Sequence, residues 1–532
     1  MLEERTEGVN ERDRTDRPLG PEPDDLLPHP SMVGRVRRGR AGMTVATVIV
    51  AAVILMAIAW AGQWACSGPG EDRVAAVPSC LQVDVVVYGT QTSGLAAVRE
   101  LAMQAPHLRV ALVSSGDFLE TPLAQGLCVE DARDIARVEG GFYHEWRELV
   151  IQAYARQGTL PFIAGDRLVY EPKVATDALW TLLEKGENPN LLYFTGRLVQ
   201  ASDRPDARYV DIEREGSGFL RLCTRYFIDA SLEADLARLL GAGYRVGRHE
   251  ALYNDLAGPT PAYPSSQNNY ETAPQRFSCL LTLRVYLDGN APPVAALAHP
   301  DYDPTSYASG TALAQKNVDA FPSSWTMNIA VLPNDTRELN EGWNDWPDIG
   351  LSYQWIFAPE KRGDMCRRVI EWSINRVRYL QEHGYPEVGI ASVPQTLYVR
   401  EGPRILGLDT YTADDLRSGE LRQPVALGCY MEYDRHDAFC PNHIETTRYA
   451  CVPMEALMPR GHPRLLVCTA VSIDYAAYSS AVRMEHTRAN MGGAAGIMIV
   501  LADRLGLEPG EVPYEEVRRA LVERGYRLEV PI

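Results

Sequence analysis

At 532 residues, 46% of them hydrophobic, the chain can bury a large core, and wholesale disorder is excluded. A formal net charge of -18, uninterrupted by any basic aromatic stripe, repels phosphate backbones and argues against nucleic acid as a partner. The ten cysteines contain no CxxC pair, which removes the zinc-ribbon class.

Residues 1–42 are rich in charge and proline and lack apolar periodicity, which predicts a disordered cytoplasmic tail. Residues 43–65 contain no charge and can cross ~30 Å of hydrocarbon at ~1.5 Å per residue, so one transmembrane helix, a signal anchor, is expected. Arg35, Arg37, Arg38 and Arg40 precede it, and Glu71 and Asp72 follow. The positive-inside rule then keeps the N-terminus cytoplasmic and sends the body outward as a single-pass membrane protein, with Trp60 and Trp64 at the outer interface. A cleaved secretory signal is the competing reading, on the small-x-small triplet Ala59-Trp60-Ala61. Arg37-Arg38 matches a twin-arginine signal weakly, because Arg40 and Ala41 stand where bulky apolar residues belong. Residues 66–81 read as a linker.

Residues 82–88 are a β-branched, uninterrupted run stopped by Gly89 and predict a buried strand. Thr90, Gln91 and Ser93 form a turn, a helix opens at Gly94, and a second strand runs over 108–113, which completes a βαβ unit. A pyrophosphate at such a turn needs helix N-terminal amides and small residues that let it approach. Gly89 and Gly94 meet that need, Gln91 stands at the middle glycine of GxGxxG, and Ser114 replaces the usual ribose-binding acid. Further strands are expected at 191–194, at 197–200 with Leu198, and at 226–229, the last running into the small turn Ala230-Ser231. Residues 233–240 predict a helix, 250–350 an irregular lobe, 366–382 an apolar-faced helix and 514–525 an amphipathic closing helix.

These segments together resemble a bacterial family of FAD-dependent oxidoreductases with a glutathione-reductase-type fold. The likeness rests on Asp84-Val85-Val86-Val87-Tyr88-Gly89, Glu171-Pro172-Lys173-Val174-Ala175 and, most specifically, Phe227-Ile228-Asp229-Ala230-Ser231-Leu232-Glu233-Ala234-Asp235-Leu236. It continues through Leu397-Tyr398-Val399-Arg400-Glu401, Thr412-Ala413-Asp414-Asp415-Leu416, residues 428–436, Arg483-Met484-Glu485 and Met491-Gly492-Gly493-Ala494-Ala495-Gly496, in one order. The resemblance implies an α/β architecture: a Rossmann-like FAD/NAD(P)-binding domain (82–125, 166–245, 461–505) interleaved with an α+β substrate lobe (126–165, 246–460), closed by a helical segment (506–532). It implies bound FAD, with its adenine end over the Gly89–Gly94 turn and its flavin ring between the lobes. The N-terminus of a closing helix near Gly492, Gly493 and Ala494 is then expected beside the ring, where its dipole favours reduced flavin. The chain departs from the pattern after the second strand, where paired glycines are common and Gly116-Asp117-Phe118-Leu119-Glu120-Thr121 keeps one and ends in an acid and a threonine, at Ser114, at Ala234-Asp235 in place of Gly-Asp, and at Cys468-Thr469-Ala470-Val471.

Hydride chemistry needs a proton acceptor near the substrate, and His436 with Asp434 is the first candidate; Arg483 would fix a carboxylate or the flavin. Their plainer readings are a structural histidine and an ion-paired arginine. His436, Cys440, His443 and Cys451 have metal-like spacing, but no metal is assigned. Cys429, Cys440 and Cys451 are better read as the source of one disulfide. Cys128 is a reactive or merely packed thiol, Glu485-His486 an acid-base pair or a helix cap, and Trp343 and Trp346, near Asn340 and Asp345, a sugar platform or core. The leading expectation is a membrane-tethered flavoenzyme acting on a small polar organic molecule such as a carbohydrate or amine. A flavin-free envelope binding or scaffold protein comes second, and a metal-dependent hydrolase third. Oligomeric state is left open.

Overall fold

Val85–Tyr88 (β2) is three valines and a tyrosine, all buried, as a central parallel strand covered on both faces requires. The computed structural model describes residues 80–130, 132–162, 166–183, 188–247, 274–294, 331–340, 345–346, 350–420, 422–436, 442–479 and 481–530. These residues belong to one compact unit, Pro78–Ile532. The expected tail, the expected membrane span, Cys440, Trp343 and most of the irregular lobe lie outside them. Among the described residues no helix is long and apolar enough to cross a membrane.

β2 pairs in parallel with Val110–Ser114 (β3) on one side and Tyr226–Asp229 (β8) on the other. The sheet extends to Leu191–Thr195 (β4) and Leu465–Val467 (β10), in the order β10-β8-β2-β3-β4, with Val87 opposite both Leu112 and Ile228. This is the α/β dinucleotide-type sheet anticipated from the sequence. After Gly196 the chain makes a meander of Arg197–Arg204 (β5), Ala207–Arg214 (β6) and Gly218–Cys223 (β7). Cys80–Gln82 (β1) adds to β7 in parallel. Residues 80 and 81 are thus strand, not linker. A Cys80–Cys223 disulfide spans 143 residues of chain between these strands. It is the bridge that spacing did not reveal: Cys451 is a free, buried thiol, so the expected pairing does not run through it, and Cys440 lies outside the described residues.

Thr92–Gln104 (α1) follows β2 and packs against Glu485–Leu505 (α6), a helix buried from Glu485 to Ala502 and so without a solvent face. Contact is backbone to backbone. A Cβ on Gly492 would stand 1.9 Å from the Ser93 carbonyl oxygen, and one on Gly496 2.6 Å from that of Ala97. Gly493 faces Tyr526, whose ring would lie 2.0 Å (Oη) from an added Cβ and whose hydroxyl donates to Glu100 at 2.9 Å. The closing helix Tyr514–Glu523 (α7) buries Val517 and Leu521, the amphipathic pattern read from the sequence.

Two local motifs explain themselves. Thr412 and Asp415 form a reciprocal capping box at the start of the helix Ala413–Ser418. Ala234 sits at φ +51°, a left-handed conformation that favours glycine, at the N-cap of Asp235–Leu239 (α4).

Gly492→Ala should therefore lower the free energy of unfolding by about 2 to 3 kcal/mol, because a backbone carbonyl cannot give way. Ala234→Gly should raise it by about 1 kcal/mol. Urea denaturation of the soluble body measures both.

Candidate functional site

The β2–α1 turn is pressed against the turn that follows β8. Gly89 has φ +101°, and a Cβ there would lie 2.6 Å from the Ser231 nitrogen; one on Gly94 would lie 2.3 Å from the Gly89 oxygen and 2.8 Å from Ala230 Cβ. The glycines are needed for this approach, and Ala230 and Ser231 form its other wall. α1 then opens at Gln91 with no side-chain cap and no acid in its first turn, and Gln91 Oε1 is buried without a hydrogen-bond partner. An uncapped helix end beside a glycine turn is a site for an anion.

The turn's hydroxyls are tied to the protein. Thr90 shares a hydrogen bond with Ser114 (3.2 Å), whose own hydroxyl donates to the Phe118 carbonyl (2.8 Å). Thr92 meets Thr121 at 2.6 Å and donates to Glu485, and Ser93 bonds Thr469. Glu120, in the loop after β3, accepts the Thr90 N–H at 2.8 Å and the Ser115 N–H at 3.1 Å.

A cleft of about 910 Å³ opens at the C-terminal ends of β2, β3 and β8, where open α/β sheets bind ligands. Gln91, Glu120, Leu198 and Ser231 line its sheet side, and Trp355 and Arg362 lie across from them. Arg362 pairs with Asp235 (2.9 Å) and donates to the Trp355 carbonyl (2.8 Å); Trp355 Nε1 donates to Glu233 (2.6 Å). Burial raises Glu233 against the opposing pull of Arg362. Asp229, pushed up to about 7 by burial, accepts the Ser231 amide and hydroxyl and the Ala237 amide, so it braces α4. The sequence offered no local signal for Arg362. Glu120 carried one, an acid closing the segment after the second strand where paired glycines are common.

His436, Asp434 and Arg483 are brought together, away from this cleft. His436 follows Tyr433–Arg435 (β9); its Nδ1 lies 2.9 Å from Asp345 and its Nε2 3.6 Å from Asp434. Asp434 pairs with Arg483 and accepts the Tyr430 hydroxyl at 3.2 Å, while Arg483 donates to Tyr398 at 3.1 Å. Arg400 binds Asp345 at 2.8 Å. Burial would raise Asp434, but Arg483 and His436 outweigh it and hold the carboxyl below the usual range. Burial and Arg400 oppose a charge on His436, yet Asp345 and Asp434 lift it well above an ordinary histidine. The two carboxylates thus favour the imidazolium form. Both ring nitrogens face carboxylates, Nδ1 toward Asp345 and Nε2 toward Asp434.

Other expectations resolve as packing. α6 begins at Glu485, not near Gly492, so Gly492, Gly493 and Ala494 lie about two turns inside it, in the helix interface rather than at a dipole end. Glu485 pairs with Arg488 at 2.8 Å. His486, pushed down to about 3 by burial, accepts the Cys429 amide at 3.1 Å and stays neutral. Cys128 is fully buried and its thiol is raised, chiefly by burial. Trp346 is buried, edge-on to Trp372 at 5.4 Å, and serves the core. Among the described residues no cluster of metal-ligating side chains occurs.

The family model for FAD-dependent oxidoreductases matches residues 84–521. No protein of curated function matches the sequence. Among solved structures the chain is similar to the myxobacterial chondrochloren halogenase CndH, described as a variant of FAD-dependent halogenases, at 10% identity and a TM-score of 0.37 over 84% of this chain and 79% of that one. It is also similar to a flavoprotein/dehydrogenase from Cytophaga hutchinsonii at 11% identity and a TM-score of 0.36 over 82% of each. Likenesses this distant carry no argument about chemistry. The match over most of the chain does: the protein belongs to the FAD-dependent oxidoreductase family, a family of enzymes whose cofactor is FAD.

Proposed function

We propose that the chain holds FAD with its pyrophosphate at the N-terminus of α1 and its adenosine half in the cleft, and acts on a small polar organic molecule. The observation that carries this is the uncapped start of α1, open between two glycines that admit no Cβ. Gly89 and Gly94 give the close approach, the first-turn amides face the anion, and Leu198 and Ser231 form walls. The residues present fit the adenosine and pyrophosphate portions. Bound flavin supplies two-electron chemistry at the substrate's reacting carbon or heteroatom.

The His436 cluster supports the substrate lobe as the polar recognition surface. Among the described residues the cations His436, Arg400 and Arg483 gather around the carboxylates Asp345 and Asp434. That grouping suits an anionic or strongly electron-rich substrate group. His436, whose imidazolium form Asp345 and Asp434 favour, is then the proton donor to such a group, and Tyr398 and Tyr430 hold Arg483 and Asp434 in place for it.

The body is further proposed to lie outside the cytoplasm, tethered by residues 43–65. Their uncharged, apolar run supports the anchor, and the Cys80–Cys223 disulfide supports an oxidising compartment. Removing residues 1–65 should move the protein from the membrane to the soluble fraction.

The purified body should show flavin absorbance and release FAD on denaturation; a folded, colourless protein that refuses added FAD would falsify the assignment. The state of His436 is read by imidazole NMR. Because its folded value is raised, its contribution to stability is complete below about 6.5 and fades as pH rises through that raised value. At pH 7.5 the ring should still give imidazolium signals, and a neutral ring there removes the donor role.

A further inference from the structure

We infer that Glu120 is the acid that reads the adenosine ribose, and that the cleft takes a free 2′,3′-diol in preference to a 2′-phosphate. The inference rests on the FAD reading above and adds the residue that sets its dinucleotide class.

The usual donor of this carboxylate is the end of the second strand. Here that position is Ser114, fully buried, with its hydroxyl spent on Thr90 and the Phe118 carbonyl. It offers the cleft nothing. Glu120 arrives at the same crevice from the following loop. Its two oxygens separately accept amides from the end of β3 (Ser115) and from the residue just after Gly89 (Thr90), so the carboxylate bridges the C-terminal ends of adjacent strands. It also lines the cleft. Each carboxylate oxygen has two acceptor positions, and one amide apiece leaves one apiece, the pattern that receives two vicinal hydroxyls.

The mounting is stiff. The Glu120 amide donates to the Thr90 hydroxyl at 2.9 Å, the Thr121 amide to the Thr90 carbonyl at 3.1 Å, and Gln91 Nε2 to the Glu120 carbonyl at 3.4 Å. The loop and the glycine turn are thus laced together through both backbones. Charge decides the class of nucleotide. Among the described residues each arginine lining the cleft has its own acid, Arg362 and Arg238 sharing Asp235, Arg197 meeting Glu213 and Arg367 meeting Asp364, whereas no ion pair forms to Glu120. A 2′-phosphate would bring two negative charges against an unscreened carboxylate, while a neutral diol gains charge-assisted hydrogen bonds.

The opposite role is also physical: Glu120 could be a plug that occupies the Thr90 amide and competes with the pyrophosphate. Titration calorimetry with ADP, 2′-deoxy-ADP and 2′-phospho-ADP on the wild-type body and on Glu120→Gln separates the two. Wild type should bind ADP about tenfold or more tightly than 2′-deoxy-ADP, the ratio one charge-assisted hydrogen bond commands, and 2′-phospho-ADP more weakly still. In Glu120→Gln the preference for the 2′-hydroxyl should shrink severalfold, and the discrimination against 2′-phosphate should collapse, because the two groups are coupled. Tighter ADP and FAD binding by the variant identifies a plug and overturns the inference. Equal binding of ADP and 2′-deoxy-ADP by wild type overturns it without any variant, and so guards against a misfolded one. If wild type binds neither ADP nor FAD, the cofactor reading fails first. If it binds FAD and the variant's preferences are unchanged, only the role of Glu120 falls.

Discussion

The site depends on backbone touching backbone at three glycines. Gly89 and Gly94 let the β2–α1 turn lie against the turn after β8, and Gly492 lets α6 press on the far side of that turn at Ser93. None of the three tolerates a methyl group without moving a main-chain atom, and main chain in a packed core has little room to move. The position of the α1 N-terminus, where the pyrophosphate is proposed to lie, follows from that compression. The Gly492 side of α6, expected at a flavin-facing helix end, is instead a support for this turn.

Charge is divided between the two polar centres of the body. At the C-terminal ends of the central strands the carboxylates of Glu120, Glu233 and Asp235 line the cleft, with Arg362 as a partner of Asp235. In the lobe, His436, Arg400 and Arg483 gather around Asp345 and Asp434. An acidic protein can thus keep an uncapped helix end and an arginine-bearing cluster side by side, because each field is set by partners a few ångströms away and the remainder of the -18 is screened by solvent.

Legibility in the sequence followed the range of the interactions. β2, β3 and β8 were readable because a both-faces-buried parallel strand writes itself as an unbroken β-branched or aromatic run, and the Gly89–Gly94 turn because its glycines are local necessities. His436 and Asp434 were findable as neighbours, but a partner that favours the histidine's charged form, Asp345, is 91 residues away. Without it a base and a cation look alike. The Cys80–Cys223 bridge joins strands separated by 143 residues, which no spacing rule reaches. The start of α6 was placed near Gly492 by the family resemblance alone, whereas small residues inside a helix serve close packing when another helix backbone lies on top.

One segment links the centres. Residues 397–400 turn Leu397 and Val399 into the cleft wall and Tyr398 and Arg400 into the His436 cluster, the alternation of an extended chain. Its middle is pinned by Tyr398, which exchanges backbone hydrogen bonds with Ser278 at 2.8 and 3.0 Å. Its far end is pinned at Gly402, where a Cβ would lie 2.0 Å from the Leu232 carbonyl oxygen, directly between Ser231 and Glu233 of the cleft. The lobe is therefore referenced to the same β8 turn that receives Gly89. Dinucleotide cradle and His436 cluster share one ruler, so the distance between them is set by main-chain contact and is insulated from variation in the side chains that each centre presents.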